Sequence, residues 1–187
     1  MARGLHVVAG EAKGVPLVAS KGARPTAGRV REALFSSLGD LTDASVLDLY
    51  AGSGALGIEA LSRGASGAVL VDEDRAAVDA IDANLAATRL GDRARIGKAS
   101  VSTFLRRRVP SEAPFDVVFA DPPYGTDQDV IIDLLEALAS PGWLSEGARV
   151  VVERAARDPF SSPGSPWSVG WERTYGDTLV VVFRASG

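Results

Sequence analysis

The stretch Val46-Leu47-Asp48-Leu49-Tyr50-Ala51-Gly52-Ser53-Gly54-Ala55-Leu56-Gly57 decides the reading of this chain. Val46 to Tyr50 is apolar except for Asp48, as expected of a strand buried on both faces. Gly52 and Gly54 then let the backbone turn tightly and approach a ligand closely. A helix over Ala55–Arg63 follows. Asp72 lies twenty residues beyond Gly52, at the end of a second apolar run, Ala68–Asp72. From there a carboxylate can accept both hydroxyls of a ribose. The glycines satisfy G-x-G-x-x-G, a pattern that also describes NAD sites. Asp48 separates the two: a carboxylate just before the loop repels a pyrophosphate and favours a ligand carrying positive charge.

Outward from this loop, strands and helices alternate. The periodicity predicts a helix over Arg75–Thr88, a weaker strand over Ala94–Lys98 with a short helix to Arg107, a strand over Phe115–Ala120, a helix over Val130–Ala139 and a fifth strand over Ala148–Glu153. Asp158–Pro166 is a Ser/Pro/Gly loop. Trp167, Val169 and Trp171 alternate, as do Leu179, Val181 and Phe183, with Gly176-Asp177 between them, which predicts a terminal antiparallel hairpin. The expected fold class is α/β: a Rossmann-like, mostly parallel, doubly wound sheet with an antiparallel C-terminal hairpin. Upstream, Leu5–Ala9 and Val15–Ala19 read as a small hairpin. Arg24-Pro25-Thr26 reads as a helix entry with Thr26 as N-cap, and Val30, Ala33, Leu34 and Leu38 carry the helix to about Gly39. The expected division is an extension over 1–40 and a main domain over 41–187.

The 187 residues suit one domain with a small appendage, and 46% hydrophobic residues supply its core. The absence of cysteine excludes disulfides, thiolate zinc sites and a cysteine nucleophile, and one histidine, His6, makes a His-based metal site or triad improbable. The first residues lack the apolar core of a signal peptide, and no run approaches ~20 apolar residues. A cytoplasmic protein without a metal or a membrane partner is the expectation. Net charge is -4, but unevenly spread: residues 1–40 carry +3 and the remainder -7. A basic segment on an acidic body fits a phosphate-facing arm, with Lys13, Arg24, Arg29 and Arg31 as its candidate contacts.

Asp121-Pro122-Pro123-Tyr124 follows the fourth apolar strand. An exocyclic base amine is a poor nucleophile because its lone pair is delocalised into the ring. Two acceptors for its N–H groups pyramidalise the nitrogen and turn the lone pair outward. Asp121 can accept one and the Pro122 carbonyl the other. Consecutive prolines fix φ and bias their neighbours to extended geometry, so the acceptors are held in place. Preorganised acceptors need little reorganisation as charge develops. Tyr124 can stack on the base, for roughly 1–3 kcal/mol.

The loop run D-x-Y-A-G-S-G-A-L-G resembles motif I of the class I methyltransferases, whose S-adenosylmethionine carries an ammonium and a sulfonium and no phosphate. By that resemblance Asp48, Tyr50, Ala51, Gly52, Gly54 and Asp72 bind this cofactor. The tetrapeptide resembles the D/N-P-P-Y/F/W signature of amino-methyltransferases, which assigns catalysis to Asp121, Pro122, Pro123 and Tyr124. Val7-Val8-Ala9-Gly10-Glu11-Ala12-Lys13-Gly14 and Arg24-Pro25-Thr26-Ala27-Gly28-Arg29-Val30-Arg31-Glu32-Ala33-Leu34-Phe35 resemble the start of the RsmD family, bacterial 16S ribosomal RNA guanine-N2 methyltransferases. The resemblance implies methylation of a guanine N2 in 16S rRNA, with the small ribosomal subunit or an assembly intermediate as the partner. Gly28 stands where that family usually has Asp. An adenine-N6 methyltransferase acting on DNA or RNA fits the tetrapeptide equally.

Overall fold

The computed structural model describes residues 4–19, 28–123, 125–158, 164 and 166–185. In chain order it holds α1 (Gly28–Leu38), β1 (Ser45–Leu49), α2 (Ala55–Ser62), β2 (Gly67–Asp72), α3 (Arg75–Thr88), β3 (Ala94–Lys98), α4 (Val101–Leu105), β4 (Phe115–Ala120), α5 (Gln128–Leu138), β5 (Leu144–Ala155), β6 (Trp167–Tyr175) and β7 (Thr178–Ala185). The helix starts have local causes. Asp74 caps α3 by accepting from the Ala76 N–H, and Ser100 caps α4 by accepting from Thr103. The helix-entry reading of Arg24, Pro25 and Thr26 falls outside the described residues.

Seven strands form one sheet in the order β3-β2-β1-β4-β5-β7-β6. The first five run parallel, and β7 pairs antiparallel with both β5 and β6. Strand order reverses at β1, which has β2 on one side and β4 on the other. That switch point, at the carboxyl ends of the strands, is where open α/β sheets hold ligands. The terminal hairpin forms as expected, but β7 lies inside the sheet and β6 takes the edge. Val180 and Val182 therefore bury on one face while Leu179, Val181 and Phe183 bury on the other.

Alternate strand residues face two cores. Val46, Leu70, Phe119 and Val151 pack with α1, α2 and α3; Leu47, Leu49, Val71, Val118 and Val152 pack with α4 and α5. Phe35 of α1 meets Phe119 at 5.5 Å between ring centroids, and the Arg63 guanidinium covers the Phe35 ring at 4.8 Å.

Two readings change. β5 is longer than Ala148–Glu153, beginning at Leu144, because Phe115 of β4 pairs with Leu144 ahead of a bulge. A second register shift, between Val169 and Trp171, breaks the alternation of β6 and leaves Val169 exposed.

The first residues form the expected hairpin turn: Val7 donates to Val15 and Leu17 donates to Leu5, around a bridge between His6 and Pro16. Val7, Ala12 and Leu17 join the same buried cluster as α1, α2 and β1, so this segment shares the core of the main sheet.

Candidate functional site

The glycine loop is built by hydrogen bonds to its own neighbours. Tyr50, Gly52 and Gly54 all have positive φ, at 58°, 57° and 74°. The two glycines do this freely, whereas Tyr50 is held in a region costly for its type. Asp48 accepts from the Gly57 N–H at 2.9 Å, tying the strand to the first turn of α2. A Cβ on Gly57 would stand 2.9 Å from Leu70 Cδ2 and 3.1 Å from Asp48 Oδ2, so the third glycine is needed for close packing. Asp72, half-buried at the end of β2, accepts from the Gly52 N–H at 2.8 Å through Oδ2 and from the Asp74 N–H at 2.9 Å through Oδ1. Each of its oxygens keeps a further lone pair. The helix cap is Asp74, which leaves Asp72 to the loop.

Burial shapes the charges here. Asp48 is enclosed, and desolvation pushes its pKa up to about 8 against the opposing Gly57 N–H, with the Asp121 and Asp72 carboxylates adding to the rise. At neutral pH in the free protein Asp48 is thus mostly protonated. A protonated Asp48 does not itself repel a pyrophosphate, contrary to the expectation from the sequence, although the buried site disfavours added negative charge and a bound cation favours ionisation of Asp48. Desolvation also raises Asp121, to about 6. Tyr50 rises through burial and the nearby Glu73.

Asp121 follows β4 directly, its N–H 3.5 Å from the Leu49 carbonyl of β1. The end of β4 and the glycine loop therefore adjoin. The Pro123 carbonyl is occupied, accepting from the Thr126 N–H and hydroxyl at 3.1 and 2.7 Å. The Pro122 carbonyl accepts no bond from the described residues. Arg154 donates to the Thr126 carbonyl and braces the turn. A shallow, open depression lies beside Pro122 and Pro123, with Glu153, Arg154 and Asp158 on its wall. Tyr124 lies outside the described residues.

The candidate RNA contacts divide. Lys13 and Arg29 are exposed, and Arg24 lies outside the described residues. Arg31 corrects the expectation. It is 1% exposed, donates to the His6 carbonyl at 2.6 Å, and faces Glu59 and Glu153. Its Nε and Nη1 find no hydrogen-bond partner among the described residues. Burial lowers its pKa, with the two carboxylates opposing. Arg31 braces the N-terminal segment from beneath and is not available to a phosphate.

Sequence reasoning missed the residues that seat this segment. Glu59 accepts from the Val8 and Ala9 N–H groups at 2.7 and 3.0 Å. Ser62 donates to the Ala9 carbonyl and accepts from the Ala12 N–H. Gly10 (φ +82°) passes so close to α2 that a Cβ would fall 1.7 Å from the Ser62 carbonyl oxygen. Among the described residues no cluster of His, Asp or Glu could hold a metal ion, and no helix is long and apolar enough to cross a membrane.

A sheet of this order, with a glycine loop and a carboxylate at the end of the next strand beside its switch point, defines the class I S-adenosylmethionine-dependent methyltransferases. Within that class, the chain belongs to the RsmD family: the family model described as Conserved hypothetical protein 95 matches residues 5–184. It is 36% identical over 183 residues to Ribosomal RNA small subunit methyltransferase D of Escherichia coli K12, covering 96% of this chain and 89% of that protein. The protein of that name in Haemophilus influenzae is 33% identical, over 92% of this chain and 89% of its own length. The solved structure of yhhF from Escherichia coli superimposes with a TM-score of 0.85 at 32% identity, covering 98% of each chain.

Proposed function

We propose that this protein transfers a methyl group from S-adenosylmethionine to the exocyclic N2 of a guanine in 16S rRNA, within the small ribosomal subunit or an assembly intermediate. The observation that carries the reading is the acceptor pair at the end of β4: the Asp121 carboxylate and the Pro122 carbonyl, beside the glycine loop. The relatives named for small-subunit rRNA supply the substrate class.

The residues present fit the cofactor. Asp72 offers ribose acceptors, the Gly52–Gly54 backbone leaves room for close approach, and Asp48 holds the loop to α2 from beneath while adding to the acidic character of the site together with Asp72 and Asp121. When bound, S-adenosylmethionine supplies an electrophilic methyl group. Asp121 and the Pro122 carbonyl orient the target amine by accepting its two N–H groups. Burial holds the Asp121 carboxyl above its ordinary range, which makes it a better acceptor for the proton that the amine releases. Pro122 and Pro123 keep the acceptors from rotating away. Tyr124 stacks on the flipped base, and Lys13, Arg24 and Arg29 contact phosphate. The acidic body repels naked RNA, so the fixed shape of an assembled particle supplies affinity that charge does not.

The test is methyl transfer to small subunits lacking the modification, followed by mass spectrometry of their nucleosides. N2-methylguanosine is expected; N6-methyladenosine would refute the reading. Asp121→Ala should lower turnover at least about a hundredfold, the size of losing one preorganised polar contact, with little change in cofactor affinity.

A further inference from the structure

Asn84 lies in the third turn of α3, 1% exposed, outside the acceptor pair and the mouth of the loop. Asparagine is a poor choice inside a helix, and a buried amide is costly unless its polar atoms are paired. All of them are. Oδ1 accepts from the Val18 N–H at 2.7 Å, and Nδ2 donates to the Val18 carbonyl at 2.9 Å and to the Ser53 carbonyl at 2.8 Å. The two partners belong to different working parts. Val18 ends the docked N-terminal segment, just before residues 20–27. Ser53 sits between the two glycines of the loop.

The geometry makes the link stiff. The Ser53 carbonyl and the Gly54 N–H are two ends of one planar peptide. Asn84 holds that peptide by its oxygen, and Ala51 holds it by its nitrogen at 2.7 Å. The Asn84 amide is itself planar, so a shift of Val18 turns the same plate that grips Ser53. Turning the 53–54 peptide changes the φ of Gly54, which starts α2 and closes the cofactor loop.

We propose that Asn84 is a positioning residue that couples the seat of the N-terminal segment to the shape of the cofactor loop, so that occupancy of either end alters the other. The proposal rests on the reading of the glycine loop as a cofactor site. Coupling of this kind is reciprocal: engagement of RNA by the segment tightens cofactor binding, and bound cofactor secures the segment.

The experiment is calorimetric titration of S-adenosylhomocysteine into the full chain, Val18→Pro, Asn84→Leu and the double variant. Val18 is 60% exposed, so Val18→Pro removes one N–H without opening the core. Val18→Pro should weaken binding about three- to tenfold and have no further effect once Asn84 is Leu. Unchanged affinity in Val18→Pro, or additive losses in the double variant, would overturn the coupling. Amide exchange in the unsubstituted protein gives a readout free of folding concerns: saturation with S-adenosylhomocysteine should slow exchange at the Val18 N–H severalfold, and unchanged exchange would also overturn it. If the unsubstituted protein binds no S-adenosylhomocysteine, the cofactor reading itself fails and the coupling with it.

Discussion

The glycine loop and the N-terminal segment both hold irregular backbone in a fixed shape, but their anchors come from different distances along the chain. The loop is tied by Asp48 to Gly57, 9 residues apart, and by Asp72 to Gly52, 20 apart. The segment is tied by Glu59 to Val8, 51 residues apart, and by Asn84 to Val18, 66 apart. The loop is thus a local object that can be read as a motif. The segment is a tertiary object whose shape depends on side chains from two helices that precede no recognisable signal.

The sharpest way to break the comparison is at Gly10. Gly10→Ala forces a methyl group into the Ser62 carbonyl and adds left-handed strain. Overpacking and strain together should cost about 2–4 kcal/mol, read as a lower midpoint in urea, with rRNA methylation falling more than cofactor binding. An unchanged midpoint would mean that the segment is not seated on α2 as described. On the loop side, Asp72→Ala removes the bond to Gly52 together with the proposed ribose acceptors. Cofactor affinity should fall about ten- to hundredfold, or roughly 1.5–3 kcal/mol, while the N-terminal seat stays intact; equal affinity by calorimetry would remove Asp72 from the site.

The smallest effect concerns Asp48. Its folded pKa, about 8, lies well above that of an ordinary aspartate, so the folded chain holds a proton that the unfolded chain releases. Stability is therefore full below the unfolded value and declines as pH rises towards the folded one. The apo protein should lose stability from about pH 6.5 to 7.5, by at most about 1.4 kcal/mol per pH unit. Asp48→Asn should flatten that slope; a slope unchanged in the variant would show that Asp48 does not carry the proton.

These contrasts explain what was legible. α3, β3 and β4 could be bounded from periodicity, because their apolar runs lie within the elements they define, whereas the cap of α3, Asp74, was not read from the sequence. The ends of β5 and the exposure of Val169 could not, because bulges are set by the partner strand. Asp48, Asp72 and Asp121 could be singled out because each sits at a fixed offset from a turn. Arg31 was misread because charge alone says nothing about Glu59 and Glu153 on the other side of it. Asn84 left no signal, since an isolated Asn in a helix is ordinary in composition and unusual only in what surrounds it.

The distant anchors also impose an order on birth. A polypeptide grows at about 5–20 residues per second, and Val18 must wait for Asn84, 66 residues later. Val7 and Leu17 are made several seconds before α2 and α3, which share their buried cluster, are complete. The segment can take its final seat only when α2 and α3 have followed it out of the ribosome.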